Sequence, residues 1–74
     1  MTFDYSKLLG RLKELGLTQE ELAPAIGMSA STLSLKLNGN GFFNQDAMEK
    51  ARIALKFDKS EIGTYFFTLK VQKN

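Results

Sequence analysis

The stretch Thr18 to Gly39, T-Q-E-E-L-A-P-A-I-G-M-S-A-S-T-L-S-L-K-L-N-G, sits at the centre of this 74-residue chain and has the layout of a helix-turn-helix. Ala23 is small where a first helix must let a second approach closely, Gly27 follows four residues later at the turn, and Leu33 supplies an apolar contact six residues beyond. Thr18 and Glu21 form a capping box, in which the hydroxyl accepts from the Glu21 amide while the carboxylate reaches back to the Thr18 amide. Leu22, Ala23 and Ile26 then point inward, and Gly27 closes the helix in a left-handed conformation that is costly for a residue with a Cβ. Ser29 is an N-cap for the next helix, which runs from Ala30 to about Asn38 with Leu33 and Leu37 one turn apart on its inner face. Pro24 is the anomaly: it removes the amide that would bond to the Glu20 carbonyl, a loss of about 3 kcal/mol in a helix interior. The spacing predicts a distorted helix that survives it.

Working outward, Asp4 is a candidate cap for an N-terminal helix whose buried stripe is Tyr5, Leu8, Leu9, Leu12 and Leu15, ended at Gly16. Lys7, Arg11 and Glu14 fall on the opposite face and read as solvated surface. After Asn38 and Gly39 the chain turns through Asn40 and Gly41, and one of Phe42 and Phe43 is expected to fold back onto the core. Asn44 caps a fourth helix carrying Ala47, Met48, Ala51 and Leu55 at helical spacing. Ser60 is the candidate cap of a short fifth helix through Ile62, Tyr65 and Phe66, weakened at Gly63 by about 1 kcal/mol. Beyond it Phe67, Leu69 and Val71 alternate with Thr68, Lys70 and Gln72, a pattern for a short strand or an extended arm. With no internal repeat and no linker, residues 1–74 read as a single domain: all-α, five helices, with a short extended or β-like C-terminal tail.

Composition narrows the function. The chain has no cysteine and no histidine, which removes disulfides, the usual zinc ligands, nucleophile pairs built on histidine and the usual neutral-pH general base. No catalytic residue, no metal site and no cofactor is expected, and the chain reads as a non-enzyme. A run of roughly 18 apolar residues is missing, as is the basic-then-apolar order of a signal peptide, so a cytoplasmic protein with neither a membrane nor a small-molecule substrate as its partner is the expectation. Ten Lys and Arg against eight Asp and Glu give a net charge of +2, compatible with binding phosphate but short of a dense basic stripe.

In a helix-turn-helix the second helix enters the major groove with its N-terminal residues on base edges while the helix before it lies across the phosphates. The candidate contact residues are Gln19, Ser29, Ala30, Ser31, Thr32, Leu35, Lys36 and Asn38. Gln19 stands beside the free amides of a helix N-terminus and is either a phosphate donor or plain polar surface. Ser31, Thr32 and Ser34 bond many bases without preference, Ala30 suits a thymine methyl, and no Arg, Asn or Gln in this helix is ready for a bidentate base contact. Lys36 reaches either a phosphate or base edge, or is a solvated lysine whose stem covers apolar surface. Leu35 lies two residues off the buried stripe, where exposure suits a protein partner or a thymine methyl better than water. Asn38 to Asp46 contains no Lys or Arg to hold a DNA backbone, and Lys50, Arg52, Lys56 and Lys59 read as solvated charge. Tyr65, Phe66 and Phe67 read as packing rather than base stacking.

Residues 18–39 resemble the helix-turn-helix of the phage Cro and repressor family, where T-Q-x-E-L-A, then G, then S-x-S-T-[IL]-S and N-G recur. The opening F-D-Y-S-K-L, the stretch S-T-L-S-L-K-L-N and the ending Y-F-F-T-L-K-V-Q are similar to a group of short Cro-like phage proteins, some of them modulators of repression (antirepressors). The resemblance implies a phage-repressor-like domain in the bacterial host cell that favours lytic growth over lysogeny. Two partners are open on this ground: double-stranded operator DNA, met as a Cro-like transcriptional regulator would meet it, and the phage repressor protein, met by the same helix-turn-helix face. A homodimer is a further expectation.

Overall fold

The computed structural model describes residues 3–70, and five α-helices account for most of them: α1 (Ser6–Glu14), α2 (Gln19–Ala25), α3 (Ala30–Leu37), α4 (Gln45–Leu55) and α5 (Ile62–Phe66), the last entered through a 3-10 turn at Lys59–Glu61. Each helix start has a local cause. The Thr18 hydroxyl accepts from the Glu21 amide at 3.2 Å and the Glu21 carboxylate from the Thr18 amide at 3.0 Å, completing the capping box. Ser29 accepts from the Thr32 amide at 3.1 Å to start α3, and Asn44 from the Ala47 amide at 2.7 Å to start α4. Two expected caps differ. The N-cap position of α1 is Tyr5, and Asp4 instead accepts from the Ser6 amide at 2.8 Å, a bond that holds its carboxyl below the ordinary aspartate range. Asp58, two residues before Ser60, caps the 3-10 turn: its carboxylate takes the Ser60 hydroxyl and amide, and the Ser60 bonds lower its pKa. A carboxylate takes both donors at once, which a serine hydroxyl at position 60 has no geometry to do.

α2 carries Pro24 as its sixth residue and ends at Ala25. Pro24 and Glu20 are both exposed, and the helix continues one residue past the proline before the turn. Gly27 adopts φ +76°, and the Met28 amide donates to the Ala23 carbonyl at 3.0 Å across that turn. α3 returns against α2. Ala23 and Leu33 are fully buried, with 0% of either exposed, as the close approach of the two helices demands.

The core gathers Tyr5, Leu8 and Leu12 of the N-terminal stripe with Leu22, Ala23, Ile26 and Leu33, the α4 residues Ala47, Ala51 and Leu55, and an aromatic group of Phe43, Phe57 and Phe66. Phe43 is the phenylalanine that folds back, edge-on to both Tyr5 (5.4 Å) and Phe66 (5.3 Å). Leu9 departs from the expected stripe and is exposed, because it lies one residue round the helix from Leu8 and Leu12. Phe67 is also exposed, pairing edge-to-face with Phe3 at 5.6 Å. Leu69 forms an isolated antiparallel bridge with Phe3, and the Asp4 amide donates to the Thr68 carbonyl at 2.7 Å. The alternation that continues through Val71 and Gln72 lies outside the described residues.

Arg11 is not the solvated charge that its spacing implied. Its Nε donates to the Leu55 carbonyl at 2.9 Å and its other terminal nitrogen to the Lys56 carbonyl at 3.2 Å, so a guanidinium sits on the free carbonyls ending α4. Lys56 holds the left-handed position there at φ 58°, a conformation that favours glycine. Arg52 is likewise engaged, bonded to Glu49 through Nε at 3.0 Å, and this contact raises the guanidinium pKa and lowers that of the carboxyl. Two backbone substitutions should therefore move stability in opposite directions in urea unfolding. Gly27→Ala is expected to lower it by about 1–2 kcal/mol, and Lys56→Gly to raise it by about 0.5–1 kcal/mol. Equal effects at both positions would contradict the backbone assignment.

Candidate macromolecular interface

The exposed side of the α2–α3 pair is a shallow groove of about 510 Å³ lined by Gln19, Glu20, Ala30, Ser31, Ser34 and Leu35. The capping box sets where α2 begins, which puts Gln19 and Glu20 in its first turn; the Ser29 cap does the same for Ala30 and Ser31 in α3. Leu33 is buried, and on a helix that leaves Leu35 two positions round, at 55% exposure. Four of the eight candidate residues, Gln19, Ala30, Ser31 and Leu35, are thus brought together along one groove.

The other four are not among its lining residues, and each has a partner within the fold. Ser29 holds the α3 N-terminus, with its hydroxyl also donating to the Thr32 hydroxyl at 2.9 Å. The Asn38 side-chain amide donates to the Ser34 carbonyl at 2.9 Å in the last turn of α3. Lys36 donates from Nζ to the Phe42 carbonyl at 2.7 Å. The lysine that the sequence left open between DNA contact and solvent is bonded to a loop that sequence spacing had no means of placing beside it.

Glu20 was the residue that sequence reasoning passed over. As one of two adjacent glutamates in a first turn it is explained by the helix dipole, yet only Glu21 is occupied by the cap, and Glu20 lines the groove. The signal was available: a capping box uses the third residue of the helix and leaves the second free. The groove therefore holds one carboxylate, one half-exposed leucine, small hydroxyl and methyl groups, and no Lys or Arg. Two basic residues of α4 are paired, Lys50 with Asp46 at 3.0 Å and Arg52 with Glu49. Among the described residues no cluster of metal-binding side chains occurs and no helix is long and apolar enough to cross a membrane.

Fold and groove together define a small all-α protein of five helices among its described residues, with an open α2–α3 groove lined by one carboxylate and no Lys or Arg. The chain belongs to the family described as "Protein of unknown function (DUF739)", whose model matches residues 1–69. It is similar in structure to the modulator of repression (MOR) of the temperate bacteriophage TP901-1 from Lactococcus lactis, known from a solution structure. The two are 42% identical, the match covers 97% of each chain, and the TM-score is 0.75. No curated protein matches the chain.

The hydrogen bonds separate structural from free hydroxyls on this face. Ser29→Ala should cost about 1 kcal/mol of stability through loss of the cap, whereas Ser31→Ala should stay within about 0.5 kcal/mol of the parent. Thermal and urea unfolding of the two variants checks this, and a Ser31→Ala penalty as large as that of Ser29→Ala would contradict it.

Proposed function

We propose that this chain is a phage modulator of repression that uses its α2–α3 face to bind the phage repressor protein rather than operator DNA. The observation that carries the proposal is the charge of the groove: Glu20 is its single ionisable lining residue, and Leu35 its exposed apolar one. A duplex presents a dense line of phosphates, and a face that meets it gains its affinity from Lys and Arg. Here a carboxylate would be pressed toward those phosphates with no cation among the residues that line the groove. A repressor's own DNA-binding surface has the opposite character, being basic, and complementary charge favours its approach to Glu20 while Leu35 supplies buried apolar contact. The 42% identity over nearly the full chain to a protein titled a modulator of repression supports the same reading.

On this proposal residues 1–74 act as one Cro/repressor-like helix-turn-helix domain in the cytoplasm of the bacterial host, with no catalytic role and no cofactor. The helix-turn-helix serves as a rigid platform. Gln19, Ala30 and Ser31 contribute shape and hydrogen bonding around Leu35, and repression is relieved because the repressor face that would hold the operator is covered. Operator binding, the other use of this layout, would need the sequence-tolerant phosphate contacts that Lys36 and the loop from Asn38 to Asp46 do not offer.

A gel-shift titration on the phage operator region, with and without the repressor, tests the proposal. The chain alone should leave the DNA unshifted at micromolar protein, and adding it to a repressor–operator complex should release the DNA. Leu35→Glu should weaken repressor binding by at least about 10-fold with the helical circular dichroism unchanged. A shift by the chain alone that fades steeply with rising salt would overturn the proposal.

A further inference from the structure

The most exposed large apolar side chain among the described residues is Phe42, at 71%, and its backbone is bonded into the loop that carries it. Three features fix the loop that carries it. The Asn40 amide donates to the Leu35 carbonyl at 2.8 Å, folding the chain back over the end of α3. Gly41 takes φ +112°, a conformation that residues with a side chain rarely adopt, and a Cβ there would lie 3.6 Å from Lys36 Nζ. Lys36 then donates to the Phe42 carbonyl at 2.7 Å, a charge-assisted bond. A flexible loop would let the ring turn toward the core beside Phe43, which is buried at 5% exposure. Instead a cation, a left-handed glycine and a helix-ending hydrogen bond keep the backbone of residue 42 fixed with its ring in water.

We propose that Phe42 is a second anchor for the repressor protein, inserted into a ring-sized apolar pocket on that partner, and that Lys36 is a positioning residue that holds the loop for it. The inference rests on the repressor-binding reading above and extends its footprint beyond the α2–α3 groove. The extension is continuous with that face, since the loop is bonded to Leu35 and Lys36, the residues that end it. Buried aromatics dominate the energetics of protein interfaces, and holding one in place before binding lowers the ordering cost of association. Lys36 is thereby given a role that needs no phosphate: its charge acts on a carbonyl of its own chain.

Ile53, exposed at 62% on α4, is an internal control, because it is comparably apolar and exposed but no such bonds fix it beside α3. The experiment is isothermal titration calorimetry of the full chain against the purified repressor, with circular dichroism and thermal unfolding of each variant. Phe42→Ala should weaken binding by about 30-fold or more, Lys36→Met by a smaller factor of about 3 to 10, and Ile53→Ala by less than about 2-fold, with all three variants as helical as the parent. Parent affinity in Phe42→Ala would overturn the anchor while leaving repressor binding through Leu35 standing. So would a loss of helicity in that variant, which would make Phe42 part of the fold, or an equal loss of affinity in Ile53→Ala. Failure of the parent chain itself to bind the repressor would overturn both this inference and the reading beneath it. Light scattering of the free chain completes the set: a change of mass in Phe42→Ala would assign the ring to contact between copies of this chain and overturn the proposal.

Discussion

The close approach of α2 and α3 over Ala23 is the constraint on which the rest of the molecule depends. With neither Ala23 nor Leu33 exposed and the chain reversing through the positive φ of Gly27, there is no room at this crossing for a larger side chain. A domain of this size buries little surface, so one crossing made well matters more than in a larger protein. The proposed binding face follows from it. Once Ala23 and Leu33 face inward, Gln19, Glu20, Ala30, Ser31 and Leu35 line the groove on the outer side, where their chemistry is set by what the core does not require.

Charge decides what that face can meet. The net charge of +2 invites a nucleic-acid reading, but four of the ten cations are bonded within the fold. Arg11 covers the carbonyls at the end of α4, Arg52 and Lys50 pair along the same helix with Glu49 and Asp46, and Lys36 holds the loop before Phe43. What remains along the α2–α3 groove is Glu20. On the proposed reading, a layout associated with DNA carries a surface that meets a protein which itself binds DNA, and the likeness to a phage modulator of repression supports that reading.

Much of the fold was legible in the residues because its determinants are local. The Thr18–Glu21 box, the Ser29 and Asn44 caps, the turn at Gly27 and the apolar spacing of Leu8, Leu12, Leu22 and Leu33 each depend on neighbours within a few positions, and each appears where spacing placed it. What spacing did not report involves partners that are distant or that sit just outside a helix. Arg11 bonds to a carbonyl 44 residues away, which no helical pattern reports. Lys36 bonds to a carbonyl in a loop whose path depends on Gly41, and Asp58 replaces Ser60 as a cap because a carboxylate takes two donors. For the candidate site, position was readable from periodicity, as exposed Leu35 shows, whereas availability was not. Ser29, Asn38 and Lys36 have the right chemistry and are already bonded within the chain.

The central claim is that the α2–α3 face meets a repressor and not a duplex. Its most direct test is amide chemical-shift mapping of the isotope-labelled chain, titrated in parallel with unlabelled repressor and with operator DNA. The account predicts that repressor perturbs Gln19, Glu20, Ala30, Ser31 and Leu35 together while DNA at the same concentration leaves them unmoved. Perturbation of those five amides by DNA, or a repressor footprint confined to α4 and α5, would contradict it.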